Sequence, residues 1–165
     1  MKYLLIIIFI SFNIYAQDFS TEIGKSTSEY RQLFLERNFT SLSNLAAPKL
    51  IEYLKSKKDL VYLLTELNKN AESKGAKITN ITIGKNSEIV NHKDQLQCTV
   101  PFTLEMEDDK RKVVFESSLA LISFDKGKSW YFTFKVEKDQ KLNNEVLDLD
   151  EKIIIPEKTQ TVVNK

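Results

Sequence analysis

The hydrophobic period of the sequence changes near Lys77, and this change limits the possible folds more than any other feature. Before it, apolar residues recur with the 3.6-residue period of helices. After it, they alternate with the period of two that is typical of strands. The clearest alternation covers residues 96–106, where every second residue is apolar and the residues between are mostly polar. Such a strand has one buried and one wet face, so the sequence predicts an α+β domain with helices packed on an antiparallel sheet.

Residues 18–75 are expected to be helical. Tyr30, Leu33 and Phe34 lie on one helical face, and Pro48 suits the first turn of a new helix over residues 48–54. A third helix ends before Gly75, a residue type that commonly follows a helix. Its apolar stripe consists of Leu60, Leu63, Leu64, Leu67 and Ala71. This unbroken stripe makes the third helix the clearest helical signal in the sequence.

Strands are predicted from residue 77 onward, separated by charged or glycine-containing turns. They are expected around residues 81–83, 88–91, 96–106, 113–124 and 130–136. Pro101 has no backbone N–H to donate, which predicts a bulge or an edge position in mid-strand. Residues 139–165 form a C-terminal extension, which we expect to pack on the domain as a short helix or arm and then to fray.

The first 16 residues have the pattern of a secretory signal peptide: Lys2, a short apolar core, and Ala16 at the cleavage position. The apolar stretch is shorter than the ~20 residues that span a bilayer. Cleavage after Ala16 predicts an exported protein, periplasmic or secreted, with no membrane insertion after cleavage. An uncleaved anchor is the alternative.

Charge and cysteine content exclude several classes of partner. The chain has 24 basic and 23 acidic residues, and removal of Lys2 with the signal makes it neutral. Nucleic acids and anionic membrane surfaces demand clustered basic residues, so neither is expected as a partner.

Cys98 is the only cysteine, lies in an apolar row and is expected to be buried. One histidine and one cysteine that lie far apart do not make a zinc site, so we expect no metal and no cofactor.

Three segments carry a resemblance to a known family: APKLIE at residues 47–52, LQCTVP at 96–101 and DKGKSWYF at 125–132. Over roughly residues 20–136 the chain resembles the nuclear transport factor 2-like superfamily, and it is similar to a group of exported proteins of Bacteroidetes-type bacteria. The resemblance implies a cystatin-like α+β roll over residues 17–138, in which a curved sheet surrounds the long helix and often leaves a pocket. It implies no single activity, because the superfamily includes isomerases, dehydratases, carriers and structural modules.

A pocket in such a roll would be lined by the inward rows of the strands and by the helices. The inward rows carry no ionisable residue, which favours a packed core or a pocket for a hydrophobic small molecule. His92 lies in a polar segment and is interpreted as a solvated surface residue, so no catalytic residue is assigned. The candidate lining residues are Tyr30, Phe34, Tyr53, Phe102, Glu116, Trp130, Phe132 and Phe134.

The sequence leaves three functions open. The first is a non-enzymatic domain that binds a small molecule or a partner. The second is an enzyme similar to ketosteroid isomerases or polyketide cyclases, which requires Tyr30, Tyr53 or Glu116 to converge on one cavity point. The third is a structural homodimer that pairs through its outer sheet face.

Overall fold

A computed structural model describes residues 19–165 of the chain. The predicted signal peptide and its cleavage after Ala16 lie outside the described residues. The helices are α1 (Ser20–Leu35), α2 (Phe39–Leu42), α3 (Pro48–Leu54), α4 (Lys57–Ser73) and α5 (Gln140–Leu147), with a 3₁₀ turn at Ser43–Leu45. The strands are β1 (Lys77–Ile83), β2 (Val90–His92), β3 (Gln95–Glu107), β4 (Arg111–Ser123), β5 (Tyr131–Thr133) and β6 (Thr159–Asn164). The chain is thus α+β, with helices packed on a strongly curled antiparallel half-barrel.

Local signals explain where the helices begin and end. The Ser56 hydroxyl accepts a hydrogen bond from the backbone N–H of Asp59 at 3.2 Å and caps α4. Pro48 occupies the first turn of α3, where its missing N–H removes no helical hydrogen bond. Gly75, with φ +75°, follows α4 in the left-handed conformation that favours glycine. Among residues 19–165, no helix is long and apolar enough to cross a bilayer.

The long hairpin of β3 and β4 is the centre of the sheet. β1 and β2 pair with successive parts of one edge of β3, while β5 and β6 pair with successive parts of the far edge of β4. Pro101 lies in the gap between the β1 and β2 pairings, where its carbonyl accepts a hydrogen bond from the N–H of Gly84. β3 is an interior strand, so Pro101 is not at the sheet edge; it lies where neither β1 nor β2 pairs with β3, and the irregularity in pairing falls in β1, between Ile78 and Asn80.

Both faces of the sheet are buried at one end. Val100 and Leu119 face the helices α1–α4, whereas Ala120 and Ile122 face the other way and are also buried. The C-terminal extension covers this second face. Its buried aliphatic residues are Leu147, Leu149, Ile153 and Ile155. At this end the sheet is therefore the middle of three layers.

The C-terminal extension is an integral part of the fold. It has the short helix that the sequence predicted, and its four aliphatic residues are each at most 5% exposed. Where the sequence predicted a frayed end, residues 159–164 form β6 and pair with β4. The prediction of fraying is wrong because the uncovered edge of β4 supplies backbone partners that local sequence does not reveal.

Candidate functional site

The predicted pocket residues on the inner face pack against one another. The Tyr30 ring lies 4.7 Å from the Phe132 ring and 6.2 Å from the Phe102 ring, both edge to face. Tyr30, Phe34, Trp130 and Phe132 are each at most 6% exposed. The gap that Tyr30, Trp130 and Phe132 help to line measures about 10 Å³. A volume of that size accommodates about one water molecule, so this part of the inner face is a filled core.

The remaining predicted residues lie elsewhere. Tyr53 is 41% exposed on α3, and its hydroxyl donates a hydrogen bond to the carboxylate of Glu137 at 2.8 Å. Glu116 is exposed and pairs with Thr103, which belongs to the sheet face opposite the helices. Phe134 is half-buried and follows the end of β5. Tyr30, Tyr53 and Glu116 therefore do not converge on one point, as an acid–base site of the isomerase type would require.

Cys98 lies in the buried row of β3, as predicted. The side chain has no exposed surface, and burial raises the pKa of its thiol to about 12. A thiol of that kind stays protonated near neutral pH and is a poor nucleophile. Cys98 is therefore a small core residue.

A polar cluster, absent from the sequence-based predictions, joins the start of β3 to the C-terminal extension. The Nε2 atom of His92 lies 3.1 Å from Oδ1 of Asp148, and its Nδ1 atom lies 3.4 Å from Oδ2 of Asp150. Lys93 pairs with the same Asp148 oxygen, and Gln95 donates to the other one at 3.3 Å. The interpretation of His92 as a solvated loop residue is wrong, since its side chain is only 20% exposed and contacts two carboxylates.

Gln97 anchors this cluster from within the protein. Its side chain is fully buried; Nε2 donates to the Asp148 carbonyl at 2.9 Å and Oε1 accepts from the Asp150 N–H at 2.8 Å. The hydrogen bond from Lys93 holds the pKa of Asp148 below its ordinary value, and His92 adds to this effect. The pKa of Asp150 is also lowered, first by the backbone N–H of Lys152 and then by His92.

The arrangement of the polar cluster favours a structural role over a reactive site. The two ring nitrogens of His92 face different carboxylates, so the three side chains do not converge on one ion. Among residues 19–165, no group of three His, Cys, Asp or Glu side chains is placed to hold a metal ion. The cluster fastens the extension to the sheet.

An open depression of about 520 Å³ lies between the first half of α1, the 3₁₀ turn and the β4–β5 turn. α1 contributes side chains spaced three and four residues apart, which therefore share one helical face. The lining residues are Glu22, Lys25, Ser26, Glu29, Asn44, Leu45, Lys128, Ser129, Trp130 and Tyr131. Of the predicted pocket residues, Trp130 alone is in this set.

The charged groups around the depression are available to a ligand. Within the described part of the chain, Glu22, Lys25, Glu29 and Lys128 form no ion pair with one another or with other residues. Two ammonium and two carboxylate groups therefore surround one concave surface. Leu45 and the half-buried Tyr131 add apolar area to it.

The β4–β5 turn holds its side of the depression in place. Asp125 accepts hydrogen bonds from Ser123 and from the N–H of Ser129, and Trp130 donates its indole N–H to the Gly127 carbonyl at 3.1 Å. Gly127 has φ +88°, and the Phe19 ring lies where its Cβ would be. Hydrogen bonding also holds the pKa of the Asp125 carboxyl below its ordinary value, chiefly through Ser129.

The sequence contained only a weak signal for this depression. The spacing of Glu22, Lys25 and Glu29 indicates one polar helical face, but such a face is usually solvated. Its position opposite the β4–β5 turn depends on contacts between α1 and residues more than 90 positions later. Comparison with models of known protein families and with curated proteins found no match.

Proposed function

We propose that the chain is an exported, non-enzymatic binding domain whose ligand occupies the depression beside Trp130. The observation that carries this proposal is the ring of unpaired charges, two positive and two negative, around a concave surface with an aromatic side. Ion pairs that are fully exposed to water contribute little free energy. A ligand that fills the depression excludes water from it, so ion pairs between the ligand and these side chains would be stronger than exposed ones.

The ligand chemistry follows from the lining. Lys25 and Lys128 suit a carboxylate or phosphate group, Glu22 and Glu29 suit an ammonium group, and Leu45 with Tyr131 suits an apolar part. A small zwitterionic molecule with an apolar portion satisfies all three. A purely hydrophobic ligand in the inner face would first have to displace core side chains, because the gap there is about 10 Å³.

The fold supports the proposal only at the level of architecture. A strongly curled antiparallel sheet with α1 on its inner side is compatible with the cystatin-like roll of the nuclear transport factor 2-like superfamily, and we propose that roll for this chain. Domains that share one fold bind many different ligands, so the fold alone does not indicate which ligand this chain binds.

The test uses Trp130, the only tryptophan in the sequence, as a fluorescent reporter at the base of the depression. The mature chain is titrated with a panel of zwitterionic amino acids and dipeptides, and with uncharged analogues of the same size. We expect a saturable change in fluorescence with zwitterions that bear an apolar side chain, and none with their uncharged analogues.

Two variants test the position of the site. Lys25→Ala and Lys128→Ala should each weaken binding about tenfold, which corresponds to about 1.4 kcal/mol. Lys110→Ala, at the exposed tip of the β3–β4 hairpin, is the matched control and should leave binding unchanged. A change in fluorescence that is unaffected by the first two variants would contradict the proposed site. Native mass spectrometry of protein taken from the exported fraction of its own host would show whether a ligand is carried.

A further inference from the structure

β6 is an uncovered sheet edge with an unusual composition. It pairs with β4 on one side, no described strand pairs with the other side, and all six of its residues are exposed. Exposed edge strands commonly carry a charge or a proline that prevents pairing with another chain. Residues 159–164 contain neither.

The direction of the backbone groups in β6 follows from a hydrogen bond at its end. The N–H of Lys165 donates to the carbonyl of Lys110, the residue just before β4, at 2.9 Å. Because successive residues of a strand point their backbone groups to opposite sides, the odd-numbered residues of β6 face β4. The backbone groups of Gln160, Val162 and Asn164 therefore point outward.

The apolar face of the sheet continues to this edge. Directly paired residues share a face, and the register connects Ile78 to Met106, Met106 to Val113, and Val113 to Val162. This row crosses β1, β3, β4 and β6. It ends at Val162, which is 49% exposed.

We propose that a second copy of this chain pairs antiparallel with β6 about a two-fold axis at Val162, so that two six-stranded sheets become one. In this register the outward-facing residues meet: Val162 lies opposite Val162 of the second copy, and Gln160 lies opposite Asn164 of the second copy. Pairing of this kind is isologous and closes after two copies.

Two observations select this register. It extends the apolar row through the axis, whereas a shift centred on Thr161 would place Val162 opposite Gln160 of the second copy. It also opposes no like charges, because the flanking Lys165 falls opposite Thr159 of the second copy and is held by Glu107 of its own copy at 2.7 Å. Like charges directly opposite would weaken cross-strand pairing.

Charge reversal at the axis gives a specific test. Val162→Lys and Val162→Glu each place two like charges against each other, so each variant alone should dimerise about tenfold more weakly than the wild type. An equal mixture of the two variants should regain dimers, because Lys then faces Glu. Val163→Glu is the control matched to Val162→Glu: Val163 is 51% exposed, lies on the other sheet face opposite Lys112 of its own copy, and its replacement should leave dimerisation unchanged.

Sedimentation velocity of the mature chain, up to high micromolar concentrations, measures these equilibria. Circular dichroism should show the same folded spectrum for all variants, because both valines are exposed. A wild-type chain that stays monomeric throughout would overturn the inference. Equal loss of dimer in Val162→Glu and Val163→Glu, or no recovery on mixing the two Val162 variants, would also overturn it.

Discussion

Replacing Gln97 with leucine should remove hydrogen bonds that hold the C-terminal extension to the sheet. The Gln97 side chain is fully buried and binds the carbonyl of Asp148 and the N–H of Asp150. Leucine has a similar volume and no polar atom. The variant Gln97→Leu therefore leaves one part-buried acceptor and one part-buried donor without their partner.

The magnitude follows from the two backbone groups. A buried polar group that loses its hydrogen bond costs about 1–3 kcal/mol, and an apolar side chain in a buried position offsets part of the total. We expect the free energy of unfolding to fall by about 2–4 kcal/mol. Domains of this size are stable by about 5–15 kcal/mol, so the variant should still fold.

Urea unfolding followed by Trp130 fluorescence measures this loss. With a slope of about 2 kcal/mol/M, the midpoint should fall by about 1–2 M. The matched control is Gln32→Leu, at an exposed position of α1 with one surface hydrogen bond to Glu36, and it should stay within about 0.5 kcal/mol of the wild type.

Amide hydrogen exchange provides the local readout for the same variant. The N–H of Asp150 should exchange faster in Gln97→Leu than in the wild type, since its acceptor is gone. If Gln97→Leu were as stable as Gln32→Leu, the hydrogen bonds of Gln97 would not stabilise the attachment of the extension, and the reasoning would be refuted.

Three further predictions follow from single side chains. The pKa of Asp148 is lowered in the folded state, so the carboxylate's contribution to stability is complete well above pH 3.8 and is lost as pH falls through the folded-state pKa. Urea unfolding at a series of acidic pH values should therefore show a smaller loss of stability for Asp148→Asn than for the wild type. Gly127→Ala should lower the free energy of unfolding by about 2–3 kcal/mol, because alanine is strained at this positive φ and its Cβ would displace the Phe19 ring. Gly24→Ala is the control: there is open space around Gly24 in α1, and the same urea assay should show a rise of about 0.5–1 kcal/mol. Cys98 should not react with an aromatic disulfide reagent at neutral pH until urea unfolds the protein; rapid reaction of the native chain would contradict its burial.

Local periodicity was sufficient for much of the fold. The boundary between helices and strands near Lys77, the helix begun by Pro48 and the strand that contains Cys98 were all predicted from neighbouring residues. Capping, proline placement and alternation act over a few residues, so a short window of sequence contains them. The burial of Ala120 and Ile122 on the second face of the sheet comes from the C-terminal extension, which lies far from them in sequence.

The apolar stripe of α4 was predicted less well. Leu60 and Leu64 are buried, but Leu63 and Leu67 are 43% and 42% exposed. Periodicity shows which residues share a face; it does not show how far the neighbouring elements extend over that face. The width of the buried part depends on the curl of the sheet.

The α+β class, the order of most elements and the burial of Cys98 follow from short-range patterns in the sequence. Three features depend on tertiary contacts: the inner aromatic residues fill the core, His92 contacts Asp148 across 56 positions, and the last strand completes the sheet edge. Each of these depends on contacts between segments far apart in the chain. Such contacts arise when the whole chain buries its apolar surface and pairs its backbone, and no local pattern specifies them.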